Sequence, residues 1–128
     1  SVATADLILT TPEKWDSFSR FRRDAQSLIG RVGLMLLDEV HLLHDPHRGP
    51  TLESMVSRMR TVSSSIKAQG LPLPITQLRI VGVSATVSNV RDISDWLSVG
   101  GTVPCETREF GESFRPVPLC WAVQTYPV

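Results

Sequence analysis

Two carboxylates stand side by side at Asp38 and Glu39, followed by Val40 and His41, directly after the apolar run Val32-Gly33-Leu34-Met35-Leu36-Leu37. Forty-six positions beyond Asp38 a second apolar run, Leu78 to Val83, ends in Ser84-Ala85-Thr86. Open parallel sheets bind their ligands at the carboxyl ends of buried strands, so both clusters sit where chemistry is expected. An acid pair there suits a magnesium nucleotide: Asp38 would hold a hydrated magnesium ion, and Glu39, aimed differently, could polarise an attacking water. A rival is a protein-only metal site built from Asp38, His41, His44 and His47. Its spacing departs from H-E-x-x-H, because Glu39 precedes His41 instead of lying between two histidines. The plain alternative is an Asp-Glu pair that merely ends a strand. No G-x-x-x-x-G-K-[ST] occurs in the chain, so the phosphate cradle that such an acid pair normally serves is missing from these 128 residues. The expectation is part of a motor, and a start at Ser1 instead of Met fits a processed or partial chain.

These residues need a scaffold that alternates strands and helices. Leu7-Ile8-Leu9 reads as a short strand closed by Thr10 and Thr11, and Pro12 then opens a helix to about Phe21 with Thr11 as its N-cap. Val32 to Leu37 does not alternate in polarity and reads as a strand buried on both faces. Asp45-Pro46-His47-Arg48-Gly49-Pro50 is a turn, after which Leu52, Met55, Val56 and Met59 recur at helical spacing, predicting a helix from Thr51 to about Ile66. Lys67 to Gln77 carries Gly70, Pro72 and Pro74 and reads as a loop before the Leu78–Val83 strand. Asn89 is placed to cap a helix with Val90, Ile93, Trp96 and Leu97 on one stripe. Val103 to Thr107 and Leu119 to Val123 are further candidate strands. The fold class is therefore α/β.

Composition narrows the function classes. With 41% hydrophobic and 20% charged residues the chain is in the globular range. Thirteen basic residues balance thirteen acidic ones, so nucleic-acid contact must come from local groups and not from a global basic field. Arg20, Arg22 and Arg23 form the densest basic cluster, which by itself reads as a solvated face. Cys105 and Cys120 make no C-x-x-C, which argues against a zinc site or disulfide scaffold and fits a reducing compartment. No apolar stretch approaches the ~20 residues of a membrane span, and no charged-then-apolar leader precedes the first strand.

Taken in order, Thr11-Pro12-Glu13-Lys14-Trp15-Asp16, Asp38-Glu39-Val40-His41-Leu42-Leu43-His44, Arg48-Gly49-Pro50-Thr51-Leu52-Glu53, Val83-Ser84-Ala85-Thr86 and Phe114-Arg115-Pro116-Val117-Pro118-Leu119 resemble the first motor domain of superfamily-two DExH-box helicases of the Ski-like branch. Met55 to Val62 and the Asp92 to Ser98 helix look most like the Mer-type meiotic crossover helicases. The spliceosomal Brr-type and activating-signal-cointegrator helicases share the tetrad and the Arg-Gly-Pro segment. Ser88 departs from the family pattern, where proline often precedes the Asn89 cap.

The resemblance implies a partial RecA-like (P-loop NTPase-type) parallel sheet with flanking helices, lacking the phosphate-loop strand. Residues 1–113 would be the C-terminal part of motor domain 1, and residues 114–128 a proline-stiffened connector towards motor domain 2. It further implies ATP and Mg²⁺ as cofactors, with Asp38 and Glu39 as the acid pair, Asp38 on the metal through water, and His41 linking them to Ser84, Ala85 and Thr86. Those three would couple hydrolysis to strand movement. Thr11, Pro12 and Glu13 would hold a nucleic-acid backbone, as orphan N–H groups and a helix dipole favour phosphate. Arg48 and Gly49 would lie near the nucleic-acid path. The implied whole is a nuclear, 3′-to-5′ DNA helicase of meiotic recombination, with DNA favoured over RNA, the remainder of the helicase as partner, and no membrane. Alternatives are an RNA helicase of the Ski-like or Brr-like kind, a nucleic-acid-binding module without turnover, and a non-catalytic protein-interaction module. Trp15 could stack on a base but reads better as core. Two expectations follow for the isolated chain: no measurable ATP hydrolysis, and a tendency to associate through an unpaired edge at Ile80 to Val83. The strands leading to Thr10, Asp38 and Ser84 are expected to be neighbours in one sheet.

Overall fold

The computed structural model describes residues 4–21, 28–98 and 105–126. Helix α1 spans Pro12–Phe21, as the Thr-Pro start predicts. The Lys14 N–H donates to Thr11 Oγ1 at 3.3 Å, so Thr11 is the cap. Strand β1 (Leu34–Leu37) runs into a 3₁₀ turn at Val40–His44, and helix α2 follows over Gly49–Ala68. Helix α2 starts earlier than the apolar spacing suggests, because Pro50 occupies its first turn and Asp45 Oδ1 accepts the N–H groups of His47 and Arg48, both at 2.8 Å. It stops at Gly70, whose φ of 70° admits the left-handed turn. There the Leu71 N–H reaches the Ile66 carbonyl and the Gly70 N–H the Lys67 carbonyl, the paired bonds of a Schellman end.

A second 3₁₀ turn, Pro74–Gln77, leads into strand β2 (Arg79–Gly82), and helix α3 occupies Val90–Leu97. Asn89 caps α3 by accepting the Asp92 N–H. A last 3₁₀ turn lies at Glu112–Phe114. Strands β1 and β2 pair in parallel, Leu34 opposite Arg79 through Leu37 opposite Gly82.

The core lies on one side of this sheet. Leu52, Met55, Val56 and Met59 of α2 are buried against Trp15 of α1, Leu28 and Ile29, Leu37, Val40, Ile75 and Leu97. Met59, Val56 and Ile75 have no exposed surface. The Ser63 hydroxyl donates to the Ile75 carbonyl at 2.6 Å and pins the second 3₁₀ turn to α2.

Several expectations need correction. Strand β1 is not buried on both faces: Leu34 and Leu36 are 52% and 65% exposed, while Leu37 is 4% exposed. Paired parallel neighbours share a face, so Leu34, Leu36 and Val81 form an outer apolar face that no described residue covers. The run Leu7-Ile8-Leu9 is irregular and pairs with neither strand, so only the Asp38 and Ser84 strands are neighbours. Of the proposed strand 103–107, residues 103 and 104 lie outside the described residues and 105–107 are irregular, as are residues 119–123. A strand needs a ladder partner for its N–H and C=O groups, and among the described residues these segments have none. On α3, Leu97 is buried and Ile93 and Trp96 are half-buried, but Val90 is exposed. Among the described residues no helix is long and apolar enough to cross a membrane.

Candidate functional site

The two strands end in register, and the ladder continues past them with one irregularity. The Val83 N–H donates to the Leu37 carbonyl at 2.8 Å, and the Val83 carbonyl accepts the Val40 N–H at 3.0 Å. A regular parallel ladder would use the Glu39 N–H for the second bond. One extra residue is therefore inserted between Leu37 and Val40, a β-bulge that lifts Asp38 and Glu39 out of the pairing. Glu39 absorbs the insertion with φ 55° and ψ 42°, the one non-glycine residue at positive φ among the described residues. Its N–H bonds the Asp38 Oδ1 at 2.9 Å, which leaves the other Asp38 carboxylate oxygen facing out. Both acids are exposed.

His41 sits where the two strand ends meet. Its Nδ1 accepts the Ala85 N–H at 3.3 Å, across 44 positions of sequence. The same Nδ1 lies 3.2 Å from Glu39 Oε2. One nitrogen cannot serve both: it accepts from Ala85 only when unprotonated and donates to Glu39 only when protonated. The link between the acid pair and the Ser84-Ala85-Thr86 segment thus exists as a contact, made through backbone at Ala85. Ser84 and Thr86 are exposed, and among the described residues neither hydroxyl is engaged by another protein group. Beneath them, Gly82 allows a close approach. A Cβ there would meet Val40 Cγ2 and Leu97 Cδ1, each at 3.0 Å.

The second group forms where α1 and α2 begin. The Glu13 carboxyl is held below its ordinary range by its own backbone N–H, then by the Thr11 hydroxyl, with a smaller Coulomb contribution from Arg48. Arg48 thus lies within Coulomb range of Glu13 in the first turn of α1, and Gly49 follows it at the start of α2. Among the described residues Arg48 and Asp45 form no side-chain ion pair; Asp45 Oδ1 accepts the backbone N–H groups of His47 and Arg48 instead. Those same bonds hold its carboxyl below the usual range. Gly49 is packed closely: a Cβ there would stand 2.3 Å from the Leu43 carbonyl oxygen. Trp15 is 8% exposed and packs on Phe18 with ring centroids 5.9 Å apart, which places it in the core.

The rival metal centre fails. Among the described residues no group of three or more His, Cys, Asp or Glu side chains converges on a common point. For a hydrated magnesium ion the donor set fits, since Asp38 presents a hard, accessible carboxylate oxygen. Asp16 and Arg58 escaped the sequence reading. Their ion pair joins residues 42 positions apart, and nothing local in either segment marks them as partners.

The family profile of the DEAD/DEAH box helicases matches residues 1–93. The chain belongs to that family. It is 48% identical over 126 residues to the human probable ATP-dependent DNA helicase HFM1, a match covering 96% of this chain and 8% of that protein. The Arabidopsis thaliana ATP-dependent DNA helicase homolog MER3 is 41% identical over 98% of this chain and 11% of its own length. Chicken activating signal cointegrator 1 complex subunit 3 is 40% identical over 99% of this chain and 5% of its own. This DEAD/DEAH segment thus spans about a tenth or less of the curated relatives it matches. No solved structure matches it significantly. The partial RecA-like α/β fold expected from the sequence agrees with the parallel pair and its flanking helices.

Proposed function

We propose that this chain is the acid-pair portion of the first motor domain of an ATP-dependent DNA helicase of the meiotic crossover type, acting in the nucleus with 3′-to-5′ polarity. The observation that carries the reading is the bulge at the end of β1, which frees Asp38 and Glu39 while His41 bonds Ala85 at the end of β2. When ATP and magnesium are bound by the whole motor they supply the phosphoryl group and its counter-charge. Asp38 would hold the hydrated metal, and Glu39 would orient and polarise the attacking water. His41 Nδ1 bonds either Glu39 or the Ala85 N–H, so a change at the acid pair makes or releases the bond to Ala85, between Ser84 and Thr86. Thr11, the first turn of α1 and Arg48 contact the nucleic-acid backbone. Gly49 serves by letting α2 start close to the turn that follows the acid pair.

DNA is favoured because relatives at 41–48% identity are named as DNA helicases. RNA is the second reading, because the Arabidopsis thaliana RNA helicase DExH14 is 43% identical over 97% of the chain. The test is the full-length protein with Glu39→Gln. ATP turnover is expected to fall by about 10²-fold or more, within the range of general-base losses, while nucleotide still binds. Parallel unwinding assays on 3′-tailed DNA and RNA duplexes separate the two substrates. Turnover at the parent rate in Glu39→Gln would remove the acid-pair reading, and unwinding of RNA alone would move the protein to the RNA branch.

A further inference from the structure

Helix α2 begins and ends its work at two different places. Its start is fixed to the turn that carries His41, by the Asp45 carboxylate on the His47 and Arg48 N–H groups and by the contact of Gly49 with the Leu43 carbonyl. About 13 Å further along its axis, at 1.5 Å per residue, Arg58 reaches across to α1. Its Nη1 donates to Asp16 Oδ1 at 2.7 Å, to Ser19 Oγ at 2.6 Å and to the Asp16 carbonyl at 3.4 Å. Asp16 is also paired with Arg20 at 2.8 Å. The side chains of Arg58 and Asp16 are 25% and 15% exposed, so the pair is shielded from water more than an ordinary surface bridge. Asp16 lies about 7 Å of helix from Thr11. Phe18 and Trp15 hold the apolar side of the same helix against the core.

We infer that Arg58 is a positioning residue that locks α1 to α2, so that the nucleic-acid end of α1 and the turn after the acid pair move as one body. This rests on the proposed function, and deepens it. A salt bridge and two hydrogen bonds from one guanidinium fix the rotation of α1 about its axis as well as its distance. Apolar packing by Trp15 and Phe18 leaves that rotation looser, and rotation decides where the first-turn N–H groups point. Without Arg58, binding of a phosphate backbone at Thr11 would turn α1 on its own and transmit less to α2.

The test uses the full-length protein with Arg58→Gln, Arg58→Lys and Thr11→Val. The readouts are ATP turnover without nucleic acid and the single-stranded DNA concentration giving half-maximal stimulation. For Arg58→Gln the half-maximal concentration is expected to rise about tenfold, with basal turnover within about twofold of the parent; tenfold corresponds to ~1.4 kcal/mol. Arg58→Lys, which keeps one charged donor for Asp16, is expected to recover most of the loss. If Arg58→Gln does not fold, Ser19→Ala, which removes one acceptor of the guanidinium, is read instead: a raised half-maximal concentration is expected and an unchanged one overturns the inference. Unchanged DNA dependence in Arg58→Gln, or equal falls in basal and stimulated turnover, overturns the inference. If Thr11→Val alters DNA dependence and Arg58→Gln does not, only the inference fails. If Thr11→Val is also silent, the assignment of α1 to nucleic acid fails first.

Discussion

Gly49→Ala asks whether the acidic turn and α2 form a single unit. At an exposed helical position this change stabilises a protein by about 0.5–1 kcal/mol, because glycine loses more backbone freedom on folding. Here the new Cβ would lie 2.3 Å from the Leu43 oxygen, 3.0 Å from the Leu43 carbon and 3.5 Å from the Leu42 oxygen. These are backbone atoms, so no side-chain rotation relieves the overlap. Overpacking costs about 1–3 kcal/mol, which outweighs the helical gain and leaves a net loss of about 1–2 kcal/mol. Relief requires the Val40–His44 turn to move off α2, and that motion carries His41 away from Ala85. Hydrogen exchange on the full-length protein is the assay. Amides of Val40 and Gly49 are expected to lose protection, because their acceptors are the Val83 and Asp45 carbonyls, and ATP turnover is expected to fall with them. Retained protection together with a raised melting temperature would show that only the helical gain is felt, and would refute the claim of a rigid joint.

Three further outcomes are expected. For Asp16, burial acts to raise the carboxyl pKa, but hydrogen bonds from Arg58 and Arg20 outweigh it and the net shift is downward. Its pairing therefore stabilises the fold fully above the ordinary aspartate value of about 3.9 and is lost as pH falls through the lowered native value. Denaturation of the parent full-length protein and of Asp16→Asn should differ at neutral pH and converge at the acid end, and a constant gap would contradict the ion pair's contribution. Met59 is wholly buried on α2, so Met59→Ala should cost roughly 2–5 kcal/mol in urea unfolding. The isolated 128-residue chain should associate through the outer face of Leu34, Leu36 and Val81; a monodisperse monomer by sedimentation that melts cooperatively would contradict this.

The elements closed by local chemistry were legible in the sequence. Pro12 with its Thr11 cap and Asn89 before α3 mark their helices by hydrogen bonds made within a few residues. The apolar set Leu52, Met55, Val56 and Met59 is buried as its spacing requires. What was not legible depends on partners distant in sequence. Leu7 to Leu9 and Leu119 to Val123 have strand composition, yet composition cannot supply a neighbouring ladder, and among the described residues none is present. Apolar character likewise predicted two buried faces for β1, whereas burial depends on what packs outside Leu34 and Leu36. Within the candidate site the residue types were readable, but the bulge that separates the acids from the ladder was not. Glu39, which takes the left-handed conformation, is not of the type that usually marks such an insertion, glycine, asparagine or aspartate.

The reason for that insertion can be worked from the packing below it. Without the extra residue the ladder would use the Glu39 N–H, and every side chain after it would change face. Val40, now 2% exposed over Gly82 and against Leu97, would turn outward, and His41 would leave Ala85. A left-handed conformation at a residue with a Cβ costs about 1–2 kcal/mol, while full burial of a valine side chain contributes about 1.5–3 kcal/mol. Burial of Val40 is thus large enough to hold Glu39 in its strained conformation. The apolar residue inside the tetrad sets the backbone, and the backbone in turn aims both the carboxylate before it and the imidazole after it. That division of labour explains why a valine between two polar residues can matter to a site it never touches.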